Sequence, residues 1–349
     1  MEHDASFSDR EQLILQAVVH TYITTAEPVG SRSIVKRYEL DLSPATVRNV
    51  MADLEEAGFL QQLHTSSGRV PTNRGYRYYV DYLMRVQDLT FTERTRIERE
   101  FTQRLSDADE VMRQTSHLLA LVSHQTGIVE APSEANALVR SIELMPVSSS
   151  RLAVLVADSY GRVRTVMATI GGGIDRESLP RLRAFLNETL RGVSLDSVKG
   201  ALRSRMDTLR SEQRHLADRA CRLMDLLPGS GSGRLFLDGA TQLFEQPEFR
   251  DVEKAREVFS LLDERDRLIE LLRVGMRDGP PRTSVVIGTE VAGAGLEGIS
   301  VVASPYLVDG RPAGMLGVLG PRRMPYSRLT ALVGYTAGML SRFLTRLAG

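Results

Sequence analysis

The sequence predicts a multidomain α+β protein: a winged helix-turn-helix at the N-terminus, then an antiparallel sheet-and-helix unit split by a mostly helical segment. Three observations predict it. Capped helix patterns at residues 8–58 run directly into a hairpin pattern, and alternating strand patterns recur in two separated blocks, at 138–170 and 283–319. The 349 residues also exceed one ordinary core, since domains run to about 100 to 200 residues.

Ser8-Asp9-Arg10-Glu11 is a capping box ahead of Leu13, Ile14, Ala17, Val18 and Tyr22, which predicts an amphipathic first helix. After the turn Glu27-Pro28-Val29-Gly30, Ser31 can cap a short second helix that turns Ile34, Val35 and Tyr38 inward and carries Arg32 and Ser33 at its start as candidate DNA contacts. The third helix has Ser43 as N-cap, Pro44 at the first helical position and Gly58 past its end. Its apolar stripe, Val47, Val50, Met51 and Leu54, leaves Ala45, Thr46, Arg48 and Asn49 free near the start. Those are base-reading types: arginine pairs with guanine, asparagine with adenine, and small apolar groups touch thymine methyls. Alone, such a helix fits an ordinary core helix with polar residues outward better.

Two short strands, Phe59 to Leu63 and the residues around Val70, joined through His64-Thr65-Ser66-Ser67-Gly68-Arg69, complete a wing pattern. In it His64 and Ser67 offer small polar groups to a groove and Arg69 a cation to a phosphate. Taken alone the hairpin is any hairpin, but three helices followed by it form a specific combination. Pro71 to Tyr76 starts a further helix with Tyr76, Tyr79, Val80 and Leu83 on one side, a packing face rather than a stacking platform, and with Arg74 as a candidate phosphate contact.

From Glu93 to Gln125 apolar residues recur at helical steps, with a break at Ser106-Asp107-Ala108-Asp109, giving a linker helix and a domain-packing helix. Strands are expected at 138–145, Arg151 to Ala157 and Arg162 to Ile170, then a helix at 178–191. Further strands fall at Thr283 to Gly288, Ile299 to Val308 and Ala313 to Leu319, before a final helix from Tyr326 to Leu347. The intervening residues 193–279 read as helical, divided by Gly229 to Gly233. Their Leu202, Met206, Leu209, Leu216, Leu223, Leu226 and Leu227 are apolar surface that a second copy would bury. The expected division is therefore 1–88 for the DNA-binding domain, 89–106 for the linker helix, 107–192 and 280–349 for a sheet domain in two parts, and 193–279 for an inserted dimerisation domain.

Net charge is zero, and residues 31–85 hold eight basic against six acidic side chains, so any nucleic-acid reading rests on placement rather than bulk charge. One cysteine, Cys221, allows no internal disulfide, and six histidines without ligand spacing predict no metal. Gly171-Gly172-Gly173 and Gly293-Ala294-Gly295 lack the spacing and the lysine of a phosphate loop, so no cofactor is expected. No nucleophile, base and orienting residue group together, which argues against an enzyme. Neither a signal peptide nor a membrane span is evident, and the expected location is cytoplasmic.

The sequence resembles the family of heat-inducible transcription repressors called HrcA. The likeness rests on Pro28-Val29-Gly30-Ser31-Arg32, on Ser43 to Asn49 with Met51 to Glu55, on Gly58-Phe59-Leu60, on His64 to Thr72 and on Gly75 to Val80. It returns in Ser304-Pro305-Tyr306 and Gly317 to Tyr326. The resemblance implies that the sheet domain is GAF-like, that the insertion dimerises, and that the homodimer binds double-stranded DNA at an inverted-repeat operator of chaperonin and DnaK-machinery operons. It implies release on heat stress, with the chaperonin GroEL as modulating partner. The competing expectation is a metabolite-sensing winged-helix regulator with an effector in the GAF-like domain, separable by thermal shift against metabolites.

Overall fold

The computed structural model describes residues 7–64, 67–101, 108–132, 137–169, 177–207, 220–224, 234–274, 282–290 and 298–348. Helix α1 (Asp9–Thr25) starts at the predicted capping box, with Ser8 accepting from the Glu11 amide and the Ser8 amide donating to the Glu11 carboxylate. That hydrogen bonding holds the Glu11 carboxyl below its ordinary range. Helices α2 (Ser31–Tyr38) and α3 (Pro44–Glu56) follow, then the antiparallel pair β1 (Leu60–Gln62) and β2 (Arg69–Pro71), and α4 (Asn73–Tyr78) with a wider π-helical turn at Tyr79–Leu83. The predicted tyrosine face is a packing face: Tyr76 and Tyr79 are buried.

Helix α5 (Phe91–Glu100) precedes the predicted break, whose Ala108 and Asp109 open helix α6 (Ala108–Ser123) while its Ser106 and Asp107 fall outside the described residues, as do both glycine runs named above and Gly229 to Gly233. After β3 (Thr126–Glu130) the chain makes β4 (Val139–Pro146), β5 (Arg151–Asp158) and β6 (Val163–Thr169), then α7 (Leu179–Leu190) and α8 (Val198–Asp207). Strand β7 (Leu235–Asp238) leads through α9 (Gln242–Glu245) to α10 (Val252–Asp263) and α11 (Arg265–Arg273). The last elements are β8 (Ser284–Ile287), β9 (Ile299–Val308), β10 (Arg311–Pro321) and α12 (Tyr326–Ala348).

Strand pairing divides the chain differently from the predicted 193–279 insertion. Strands β4, β5 and β6 form a sheet of their own, whereas β7 joins a five-stranded antiparallel sheet in the order β7-β3-β10-β9-β8. The separate sheet buries Ile142, Val154 and Val156 under Leu182, Leu186 and Leu190 of α7 and Leu202 of α8, with Leu223 in the same core. Helices α10 and α11 instead lay Val258, Leu261, Leu268 and Leu272 on Ile128, Val301 and Met315 of the larger sheet. The large sheet is thus left after Glu130 and regained at Leu235. The unit between them mixes strands with helices and includes Leu202 and Leu223, whose apolar surface it covers itself.

The larger sheet is covered on both faces. Alternation sends Val301 and Ala303 toward α10 and α11, and Val302 and Ser304 the other way, where Val302 meets the α6 and α12 layer through Leu119, Leu329 and Val333. Each such buried aliphatic side chain contributes about 1.5 to 3 kcal/mol.

Glu130, at the end of β3, is fully buried; it ion-pairs with Arg273 of α11, and its carbonyl accepts the Tyr306 hydroxyl at 2.6 Å. Burial pushes its carboxyl above the ordinary range, and Arg273 and the Met315 amide only partly offset that. The folded chain therefore keeps this proton where the unfolded chain has lost it, and stability falls as pH rises from the unfolded through the folded pKa. Thermal unfolding of Glu130→Gln beside the parent, at about pH 4 and about pH 7, should show the variant gaining relative stability at the higher pH. A difference that ignores pH would count against this.

Candidate nucleic-acid interface

Helix α3 is built by its own sequence. Ser43 is extended (φ −70, ψ 148) and its hydroxyl accepts the Thr46 amide at 3.0 Å, satisfying a free donor of the first turn. Pro44 occupies the first helical turn, and Val47, Val50, Met51 and Leu54 are buried as the stripe predicts. Helix α1 takes that stripe from the other side with Ile14, Leu15 and Val18 in the same core. What remains outside is the leading turn: Ser43, Pro44, Ala45, Arg48 and Asn49 are all exposed.

The predicted site residues fall into two groups. Arg32, Ser33, Ala45, Arg48, Asn49 and His64 are exposed, and among the described residues no side-chain hydrogen bond or ion pair engages Arg32, Ser33, Ala45, Arg48 or Asn49. Exposed Lys36 and Arg37 in the last turn of α2 add cations beside them. The second group is already engaged. Ser43 and Thr46 hydroxyls lie 2.9 Å apart within the cap, and the Ser67 hydroxyl donates to the His64 carbonyl at 2.7 Å, bracing the turn of the hairpin. Thr65 and Ser66 lie outside the described residues.

Arg69 and Arg74 differ most from expectation. The Arg69 Nε donates to Glu55 at 2.8 Å, so its charge is spent inside the unit rather than presented by the hairpin. Its backbone exchanges two 2.9 Å hydrogen bonds with Val29 on the α1–α2 connection. Gly68 permits that approach, since a Cβ there would stand 2.5 Å from the Val29 carbonyl. Arg74 is exposed but lies over the Phe59 ring at 4.5 Å and donates to the Ala57 carbonyl at 3.1 Å.

Sequence reasoning missed what anchors this unit. Arg77 donates from Nε and Nη2 to the two oxygens of Glu290 at 2.6 and 2.5 Å and also to the Val285 carbonyl. Asn73 meets Thr289 and Arg322, and Arg323 binds both Glu248 and the Ile23 carbonyl of α1. Tyr76 packs edge-on to Tyr326, 6.0 Å between ring centres. Burial pushes the Tyr76 hydroxyl far above its ordinary range and raises Tyr326. Between the hairpin and α10 lies a cleft of about 720 Å³ bordered by Tyr22, Leu63, Asn73, Lys254 and Arg322. Among the described residues no helix is long and apolar enough to cross a membrane.

Comparison with known proteins places these features in a family. The family model described as HrcA protein C terminal domain matches residues 109–330. A protein of Geobacter sulfurreducens named heat-inducible transcription repressor HrcA is 40% identical over 338 residues, covering 97% of this chain and 98% of that one. Relatives of the same name from Shouchella clausii (38% over 340 residues, 97% and 98% covered) and Chlorobium phaeobacteroides (36% over 364 residues, 99% and 100% covered) agree. Among solved structures, a hypothetical protein at 2.2 Å resolution superposes with a TM-score of 0.64 at 22% identity, over 98% of this chain and all of that one, a likeness of fold.

Proposed function

Since the chain belongs to the HrcA family of heat-inducible transcription repressors, we propose that residues 1–88 are its winged helix-turn-helix and that α3 enters the major groove of double-stranded DNA. The carrying observation is the leading turn of α3, which stands exposed with Arg48 and Asn49 unengaged while its opposite face is fully buried. Arg48, Asn49 and Ala45 read base edges. Arg32, Ser33, His64 and the exposed N-terminal turn at Ser43 and Thr46 contact phosphates or sugars, and Ser67 and Arg74 shape the hairpin and its seat.

The five-stranded unit is the GAF-like domain, α5 the linker helix, and the unit between β3 and β7 the dimerising insertion. The outward face of its sheet supports that assignment: Met145, Val163 and Met167 are 57, 61 and 42% exposed. A two-fold homodimer presents two α3 helices to the half-sites of an inverted repeat, about 34 Å or a multiple apart. The target is an operator of chaperonin and DnaK-machinery operons in the cytoplasm, released on heat stress, with the chaperonin GroEL restoring the active fold. Marginal stability makes such a switch workable, since loss of a few kcal/mol empties the operator.

Footprinting of the purified full chain on its own genome's chaperone promoters tests this. Protection of an inverted repeat, lost on heating and recovered better with chaperonin than without it, is expected. Protection of no discrete site would refute the reading.

A further inference from the structure

Glu55 lies in the last turn of α3, where the carbonyl end of the helix opposes a negative charge. A carboxylate there needs compensation, and it has two partners. One oxygen accepts the Gln62 amide of β1 at 3.0 Å, and the other accepts Arg69 Nε of β2 at 2.8 Å. A single side chain of the reading helix thereby holds both strands of the hairpin. The two charged side chains keep 15% (Arg69) and 33% (Glu55) exposure, so their bond is shielded more than a surface pair. Gln62 extends the grip by donating from Nε2 to the Ser67 carbonyl at 2.9 Å, and the Val29 pairing holds the outer side of β2.

We propose that Glu55 and Arg69 are positioning residues for DNA recognition: an ion-pair clamp that fixes the hairpin relative to α3, so that helix and wing engage the duplex together. The inference rests on the proposed reading of α3 and the hairpin as the DNA-binding elements. It opposes the simpler role for Arg69, a phosphate cation, and the two roles predict opposite results for one substitution. If Arg69 bound phosphate, Glu55→Gln would free that cation and remove a negative charge, tightening binding to any DNA. As a clamp, Glu55→Gln loosens the hairpin and weakens binding to the operator.

The test uses the full chain, a duplex carrying the footprinted inverted repeat and a random duplex of equal length, titrated across salt. Glu55→Gln and Arg69→Gln should each lose operator affinity by about tenfold. The slope of log affinity against log salt should stay at the parent value, whereas loss of a phosphate contact lowers it by about 0.9 per protomer. Combining the two substitutions should cost little more than either alone, because they break the same bond. Faster amide exchange at Gln62 in Glu55→Gln, with an unchanged main unfolding transition, would show the clamp opened in a folded chain. Equal or tighter binding by Glu55→Gln, or a reduced slope for Arg69→Gln, would overturn the proposal. Should the parent show no preference for the inverted repeat, the DNA reading fails, and Gln62 exchange still decides whether the clamp holds the hairpin.

Discussion

Replacing Arg48 or Asn49 by alanine should weaken operator binding by about 1 to 3 kcal/mol, about 5- to 150-fold in affinity, and relax the base preference at the contacted position. Both side chains stand on the exposed side of α3 and carry no load in the fold, so stability should stay at the parent value. Competition between operator and random duplexes separates the outcomes. Loss confined to the operator marks base readers, and equal loss on both duplexes would make them phosphate contacts and remove α3 as the source of specificity.

Gly75→Ala should give the largest effect on the fold. A Cβ on Gly75 would stand 2.2 Å from the Phe59 carbonyl oxygen, a backbone atom that cannot swing aside. The Gly75 amide is also tied to the Thr72 hydroxyl at 3.1 Å, which in turn donates to the Gly58 carbonyl at 2.7 Å, so α4 is pinned where the methyl has to go. Relief requires α4 to lift from the end of α3, disturbing the Tyr76 packing and the Arg77 contacts together. A destabilisation of about 1 to 3 kcal/mol or more is expected. Thermal unfolding monitored by tyrosine absorbance checks it, and a parent-like transition would mean that α4 is seated more loosely than these distances imply.

The parts of this molecule legible in its sequence are those written locally. Helix α3 is the clearest: its cap, its first-turn proline and its stripe of Val47, Val50, Met51 and Leu54 all lie within one short segment, and all occur as expected. Most strand positions were legible for the same reason, and β9 spans the expected Ile299 to Val308, but β3 was not expected and β7 lies in the stretch read as helical. Which strands share a sheet was not legible. Only long-range pairing sends β7 to β3 while leaving β4, β5 and β6 together. That is why the insertion was expected at 193–279. For the interface, exposure of Arg48 and Asn49 followed from the stripe opposite them, whereas Arg69 looked like a free cation because its partner is fourteen residues away. The hint was Glu55 itself, an acid at the helix end that disfavours acids.

The anchors of the N-terminal unit have a consequence for biosynthesis. Arg77 and Glu290 are 213 residues apart, Asn73 and Arg322 are 249, and Ile23 and Arg323 are 300. At about 5 to 20 residues per second on the ribosome, the first helices emerge roughly 10 to 60 s before their seat exists. Throughout that interval the face carrying Tyr76 lacks Tyr326. Each newly made molecule thus passes through a stage in which the first helices have emerged and their docking face is bare, and that stage recurs with every round of translation.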